Sequence, residues 1–152
     1  ETPPAQKVNK DDADFVAVLL SRESLRAKVK EALASVRLPE GPLAEVLEAV
    51  FADSGSDLAL RLKSESAQRL FAASANCTPL PLETAEDLVE KYIIQLKKQA
   101  LLPEFERTQE AIREAMRQND MPKQKALMDK HCRLGKELEK LGKAYDRVVR
   151  KG

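Results

Sequence analysis

The stretch from Leu82 to Gly152 leaves this chain little choice of fold. Beyond residue 120, apolar or ring side chains fall at Leu127, His131, Leu134, Leu138, Leu141, Tyr145 and Val148, in steps that alternate four and three. That spacing is the seam of one helix lying along another. An answering set stands at Phe105, Thr108, Ile112 and Ala115, and Gln118-Asn119-Asp120-Met121-Pro122 between them reads as a turn. The pattern predicts two long helices, about Glu86 to Arg117 and Lys123 to Arg150, folded back as an antiparallel hairpin. A two-helix hairpin has little interior of its own, so the residues before it must anchor its base.

Those residues read as a group of helices. Glu1 to Asn9, with two prolines and no apolar period, reads as a linker. Asp11, Asp12 and Asp14 then place acid at a helix start, where the dipole favours it. Phe15, Val16, Val18, Leu19 and Leu20 follow, apolar nearly all round, which predicts a central buried helix. Ser24 is the expected cap of a second helix, about Leu25 to Val36. After Leu38-Pro39-Glu40-Gly41-Pro42, a third helix is expected from Pro42 to Ala52, with Leu43, Val46, Leu47 and Val50 on one face. Asp53 to Ser56 should end it. A short helix from Ser56 to Leu62 and another from Ser64 to about Ala73 complete the group. Pro79 and Pro81 bar regular helix before the long one, for which Thr84 and Asp87 form the expected capping box. Its first part, Leu88, Val89, Tyr92, Ile93 and Leu96, should pack on the group. Pro103 then removes a hydrogen bond inside the helix and reads as a kink or hinge, or as a break into two helices. The expected organisation is all-α: linker 1–9, helical bundle 10–102, hairpin 103–152.

Composition agrees and narrows the function. Much Ala, Leu, Glu and Lys with only 4% aromatic residues and no Trp is helical usage. Apolar runs are short and broken by charge, so none should cross a bilayer, and no signal peptide is visible. Cys77 and Cys132 lack metal-ligand spacing and read as free thiols of a reducing cytoplasm. The net charge of +1 hides an asymmetry: residues 1–82 carry 10 Lys/Arg and 12 Asp/Glu, residues 83–120 carry 6 and 9, and residues 121–152 carry 10 and 4. A basic last helix faces an acidic partner, so some charge should pair across the hairpin and some should point outward.

Catalytic chemistry has no foothold here. There is no phosphate loop, Gly-rich nucleotide motif or paired-cysteine metal site. His131, the only histidine, adjoins Cys132, but neighbours on a helix point about 100° apart and cannot converge as a nucleophile pair. His131 reads as a seam residue, or one hydrogen-bonded to the facing helix near Thr108.

The order of these segments resembles a known family. DFVAVLLSRESL, then LPEGPLAEVLEAVFAD, then DLVEKYIIQLKKQALLPEFERTQEAIREAMRQND, and last KQKALMDKHCRLGKELEKL are together similar to the C-terminal helicase-binding domain of bacterial DNA primase. The likeness runs over about residues 10 to 141 and lies in helix order and apolar positions. It implies a C1-like bundle packed on the start of a long helix, from which a C2-like hairpin projects. It implies docking on the N-terminal domains of the hexameric replicative helicase, coupling priming to unwinding. The parent would be a DNA-directed RNA polymerase whose zinc and divalent metal belong to upstream domains, leaving no cofactor or catalytic centre here. Carried over by position, the contact surface falls on Arg117, Gln118, Met121 and Lys123 at the tip and on Lys130, Arg133, Lys136 and Lys140 along the second helix, with Leu134 and Leu138 behind. Some members hold the acidic tail of single-stranded DNA-binding protein in a basic pocket near the first helix. Asp11-Asp12-Ala13-Asp14 is acidic here, with Lys7 and Lys10 beside it, which argues against that contact. The last helix also continues through GKAYDRVVRKG, past where many members stop.

Other readings compete. The basic last helix suggests a nucleic-acid-binding hairpin. The seam, the acidic facing helix and the scarcity of stacking aromatics instead predict little direct nucleic-acid contact. A helicase N-terminal domain and a coiled-coil dimer are the remaining possibilities; the first calls for an ATPase to follow, the second for self-association.

Overall fold

The computed structural model describes residues 8–52 and 62–151. Among these residues the protein is all-α, with six helices: α1 (Lys10–Ser21), α2 (Glu23–Ala32), α3 (Pro42–Ala52), α4 (Glu65–Ala75), α5 (Leu82–Arg117) and α6 (Met121–Lys151). The expected helix from Ser56 to Leu62, the end signal at Asp53 to Ser56, and most of the linker lie outside the described residues, save Leu62, Val8 and Asn9.

Local chemistry sets most helix starts. Asn9 caps α1, its Oδ1 accepting from the backbone N–H of Asp11 at 2.8 Å and of Asp12 at 3.4 Å. Ser64 caps α4 by accepting from the N–H of Ala67 at 3.1 Å. Before the hairpin turn, three boundaries differ from expectation. Helix α2 starts at Glu23, with Arg22 at the cap position and no side-chain bond there, so Ser24 lies inside the helix. Its far end tightens after Ala32 into short turns (Val36 N–H to Leu33 O, 3.1 Å) that carry Val36 and Leu38 down onto the core. Helix α5 starts at Leu82, with the N–H of Ala85 donating to the Pro81 carbonyl at 2.9 Å. Thr84 and Asp87 are therefore interior, and no capping box forms.

Helix α1 is the centre of the bundle. Its Phe15, Val18 and Leu19 join Leu25, Val29 and Leu33 of the α2 region, Leu47 of α3, and Ala85, Val89, Tyr92, Ile93 and Leu96 of α5. Its opposite face gives Ala13 and Val16 to a second cluster with Val46, Ala49 and Val50 of α3, Leu62, and Ala67 and Leu70 of α4. A helix apolar on both sides is thereby buried on both sides. Phe15 and Tyr92 stack with ring centres 4.3 Å apart, and the Tyr92 hydroxyl donates to Asp12 Oδ1 at 2.6 Å. Burial first, and then that bond, push the Tyr92 phenol well above its ordinary pKa. Arg22 donates to the Leu80 carbonyl at 2.9 Å, tying the α1–α2 corner to the segment that leads into α5.

Helix α5 is shared. Its first half closes the bundle, and its second half carries α6. Pro103 lies inside it, exposed, and the helix runs through without a break. The carbonyl of Gln99, which loses its helical donor there, belongs to an exposed residue that water can serve. No helix among the described residues is long and apolar enough to cross a membrane.

Candidate functional site

The hairpin is built from its turn outward. Gln118 ends α5, and Asn119 takes the left-handed conformation with φ 54°. Asn tolerates that region better than most residues. The N–H of Asn119 donates to the Met116 carbonyl at 3.1 Å and that of Asp120 to the Ala115 carbonyl at 3.0 Å, the paired bonds of a Schellman stop. Asp120 then caps the next helix, its Oδ1 accepting from the Lys123 N–H at 3.1 Å. Pro122 falls in the first turn of α6, where a missing N–H costs nothing. The expected turn therefore closes two residues sooner, because Met121 and Pro122 are already helical.

Contacts along the pair fix an antiparallel register. Gln124 donates to the Ala115 carbonyl at 3.5 Å near the tip. Further down, Lys130 pairs with Glu104 at 3.1 Å, and His131 stacks on Phe105 with ring centres 4.2 Å apart. At the base, Gln95 donates to the Tyr145 hydroxyl at 3.4 Å. All seven expected seam residues of α6 are half-buried and none is buried outright. On α5, Thr108 and Ala115 are buried, Phe105 and Ile112 half-buried.

His131 does not bond toward Thr108. Its ring lies against Phe105 and its buried Nε2 has no hydrogen-bond partner among the described residues. Thr108 instead donates back to the Glu104 carbonyl of its own helix at 2.8 Å. Cys132 is exposed, on a different face from His131. Cys77 donates to the Ala73 carbonyl at 3.4 Å, and burial pushes its thiol pKa up, away from the reactive thiolate. No metal-holding group of His, Cys, Asp or Glu occurs among the described residues.

The candidate contact residues separate into three sets. Arg117, Gln118, Met121 and Lys123 sit together at the turn and are exposed. Arg117 is loosely paired with Glu114 at 3.3 Å, and Gln118 donates to the same carboxylate at 3.1 Å. Lys130 is held against Glu104 beside the seam. Arg133, Lys136 and Lys140 are exposed and make no ion pair among the described residues. Six residues of helix turn Lys136 about 120° away from Lys130, so these two do not share one face. Leu134 and Leu138 stand behind, in the seam.

The three methionines of the chain gather toward this end, and all are open: Met116 is 57% exposed, Met121 68% and Met128 56%. Met116 was not among the expected contact residues; its signal was its place two residues before the turn. At the opposite end of the hairpin lies a cleft of about 640 Å³, lined by Asn9, Asp11, Asp12, Glu40, Lys91 and Tyr145 among others. Its charged lining residues are Asp11, Asp12, Glu40 and Lys91, so its walls carry more acid than base. No family model, curated protein or solved structure matches this chain.

Proposed function

We propose that this chain is a docking module of the kind that anchors a bacterial DNA primase to its replicative helicase in the cytoplasm. The observation that carries the reading is the sharing of α5. One half is locked into a bundle core, and the other supports a hairpin whose end bears exposed Met116, Met121 and Met128. Large apolar side chains kept open at the end of a rigid prong are what a partner surface needs at its centre. Methionine adapts to the shape it meets, and Arg117 and Lys123 beside it select an acid-rimmed site. The residues of this chain bind; primer synthesis would belong to other domains.

Co-elution of the chain with the helicase's N-terminal domain tests this directly. Complex formation by the parent, abolished in Met121→Asp combined with Met128→Asp and weakened in Lys136→Glu combined with Lys140→Glu, is the expected result. These side chains are exposed, so each variant should keep the parent's helical circular dichroism. Failure of the parent chain to co-elute would end the proposal.

A further inference from the structure

The basic charge of α6 is neither scattered nor spent on α5. Lys136, Lys140, Lys143, Arg147 and Arg150 follow one another in steps of four and three, and all are exposed. The same steps run through the seam at Leu134, Leu138, Leu141, Tyr145 and Val148, two residues out of phase. Two residues are about 200° of rotation, so this line of cations runs down the side of α6 that faces away from α5. Lys125 and Arg133 carry the face on toward the tip. From Lys125 to Arg150 it is about 38 Å long, with successive cations in its lower part about 4.5 to 6 Å apart along the axis.

Neutralisation is slight. Among the described residues, only Lys130 and Glu104 pair across the hairpin, and Lys130 is not on this face. On it, Lys143 meets Glu139 at 3.3 Å, with both side chains about two-thirds or more exposed (73% and 67%), an arrangement that holds a cation only weakly. Asp129 and Glu139 are the carboxylates within about 60° of its midline. One pair across the hairpin, with the other cations of α6 exposed, is the expected division into paired and outward charge.

We propose that this outer face of α6 binds the phosphate backbone of a nucleic-acid duplex without reading its sequence. The choice of partner follows from what the face lacks. A protein partner is held by apolar anchors that become buried, and near the midline this face offers none larger than Cys132. A single strand is held by stacking on aromatic rings, and no Phe or Tyr is exposed on α6. A straight row of exposed cations is enough for duplex phosphates, which present one charge per about 1.7 Å of axis and release counterions when neutralised. Lys136 and Lys140 at its upper end are shared with the proposed helicase contact, whereas its lower part, from Lys143 to Arg150, lies apart from both them and the methionine-bearing tip and does not depend on the docking reading.

The test is fluorescence polarisation of the 152-residue chain with a mixed-sequence duplex. At about 50 mM salt the parent should bind, with log affinity falling against log salt at a slope of about −2 to −4. Lys143→Glu with Arg147→Glu and Arg150→Glu should lose tenfold or more in affinity and flatten that slope. The same three residues changed to Gln, good helix formers, should show a smaller loss in the same direction. These positions lie outside the proposed helicase contact, so both triple variants should still co-elute with the helicase domain, and Met121→Asp should still bind duplex. No duplex binding by the parent, binding that survives both triple variants, or a single strand bound as tightly as the duplex would each overturn the proposal. So would a polyglutamate peptide of matched charge competing as well as duplex, which would assign the face to an acidic protein.

Discussion

The two halves of α5 make the most instructive comparison in this molecule. Both belong to one uninterrupted helix, yet they live in different surroundings. In the first half Ala85, Val89, Tyr92, Ile93 and Leu96 are all at most 8% exposed, because α1, α2 and α3 crowd them from several directions. In the second half only Thr108 and Ala115 reach comparable burial. A helix with one neighbour can hide only a narrow stripe, however regular its apolar spacing. The difference is one of neighbours, and it divides labour: the half with many neighbours supplies stability, and the half with one supplies reachable surface.

That division is open to direct attack. Leu19 is completely buried, and Leu19→Ala should cost about 2 to 5 kcal/mol, from lost transfer energy plus a cavity. Leu138 is half-buried in the seam, so Leu138→Ala should cost roughly half as much, about 1 to 2 kcal/mol. Its position in the seam alone suggests a fully buried leucine, and the two-helix geometry lowers that figure. Urea unfolding of both variants settles the matter. Equal losses would mean that the hairpin is packed as tightly as the bundle, and the contrast between the halves would fail.

This contrast also marks what could be read from the residues alone. The seam was legible to the residue, since alternating steps of four and three have no other use over so many turns. The central place of α1 was legible too, because a helix apolar nearly all round must be largely enclosed, although Leu20 at its end stays 36% exposed where no neighbour covers it. Depth of burial was not, since spacing reports which face is covered and not by how many neighbours. Two helix starts were misplaced because Arg22 and Pro81 use no side-chain cap, and sequence reading depends on such caps. The Phe105–His131 stack needed a register that neither seam contains by itself. It could have been found by counting outward from the turn, because Phe105 and His131 lie at nearly equal distances from Asn119. The charge of α6 was plain as a sum, but its side of the helix became clear only once the seam was fixed.

A smaller effect, of opposite sign, sharpens the same comparison. Gly142 lies within α6, and a Cβ added there would meet nothing within 4 Å. Gly135 is closer to α5, where a Cβ would stand 3.6 Å from Phe105 Cε1, an ordinary contact. Neither has a positive φ, so neither needs to be glycine for its backbone. Gly142→Ala should stabilise the hairpin by about 0.5 to 1 kcal/mol through reduced freedom of the unfolded chain. Hydrogen exchange should slow in α6 and stay unchanged in α1. A global shift felt equally in α1 would show that bundle and hairpin unfold as one unit.

The smallest effect concerns the bundle and depends on pH. Glu45 on α3 accepts from the backbone N–H groups of Lys63 at 2.6 Å and Ser64 at 3.1 Å, so one exposed carboxylate joins α3 to the start of α4. Hydrogen bonding from Ser64, side chain first and then backbone, lowers its pKa below the ordinary 4.5. A lowered folded-state pKa means that ionisation favours the fold. The contribution is fully present above the unfolded value of 4.5 and is lost as pH falls through and below the folded one. Glu45→Gln keeps an acceptor but removes its charge, so the parent should melt slightly higher than the variant at neutral pH. The gap should close in acid well below 4.5. Hydrogen exchange at Ala67 and Gln68, just inside α4, should report the same crossover, and α6 should report none of it. A gap that persists unchanged in acid would mean that Glu45 acts by shape alone, leaving the α3–α4 joint as insensitive to pH as the apolar clusters around α1.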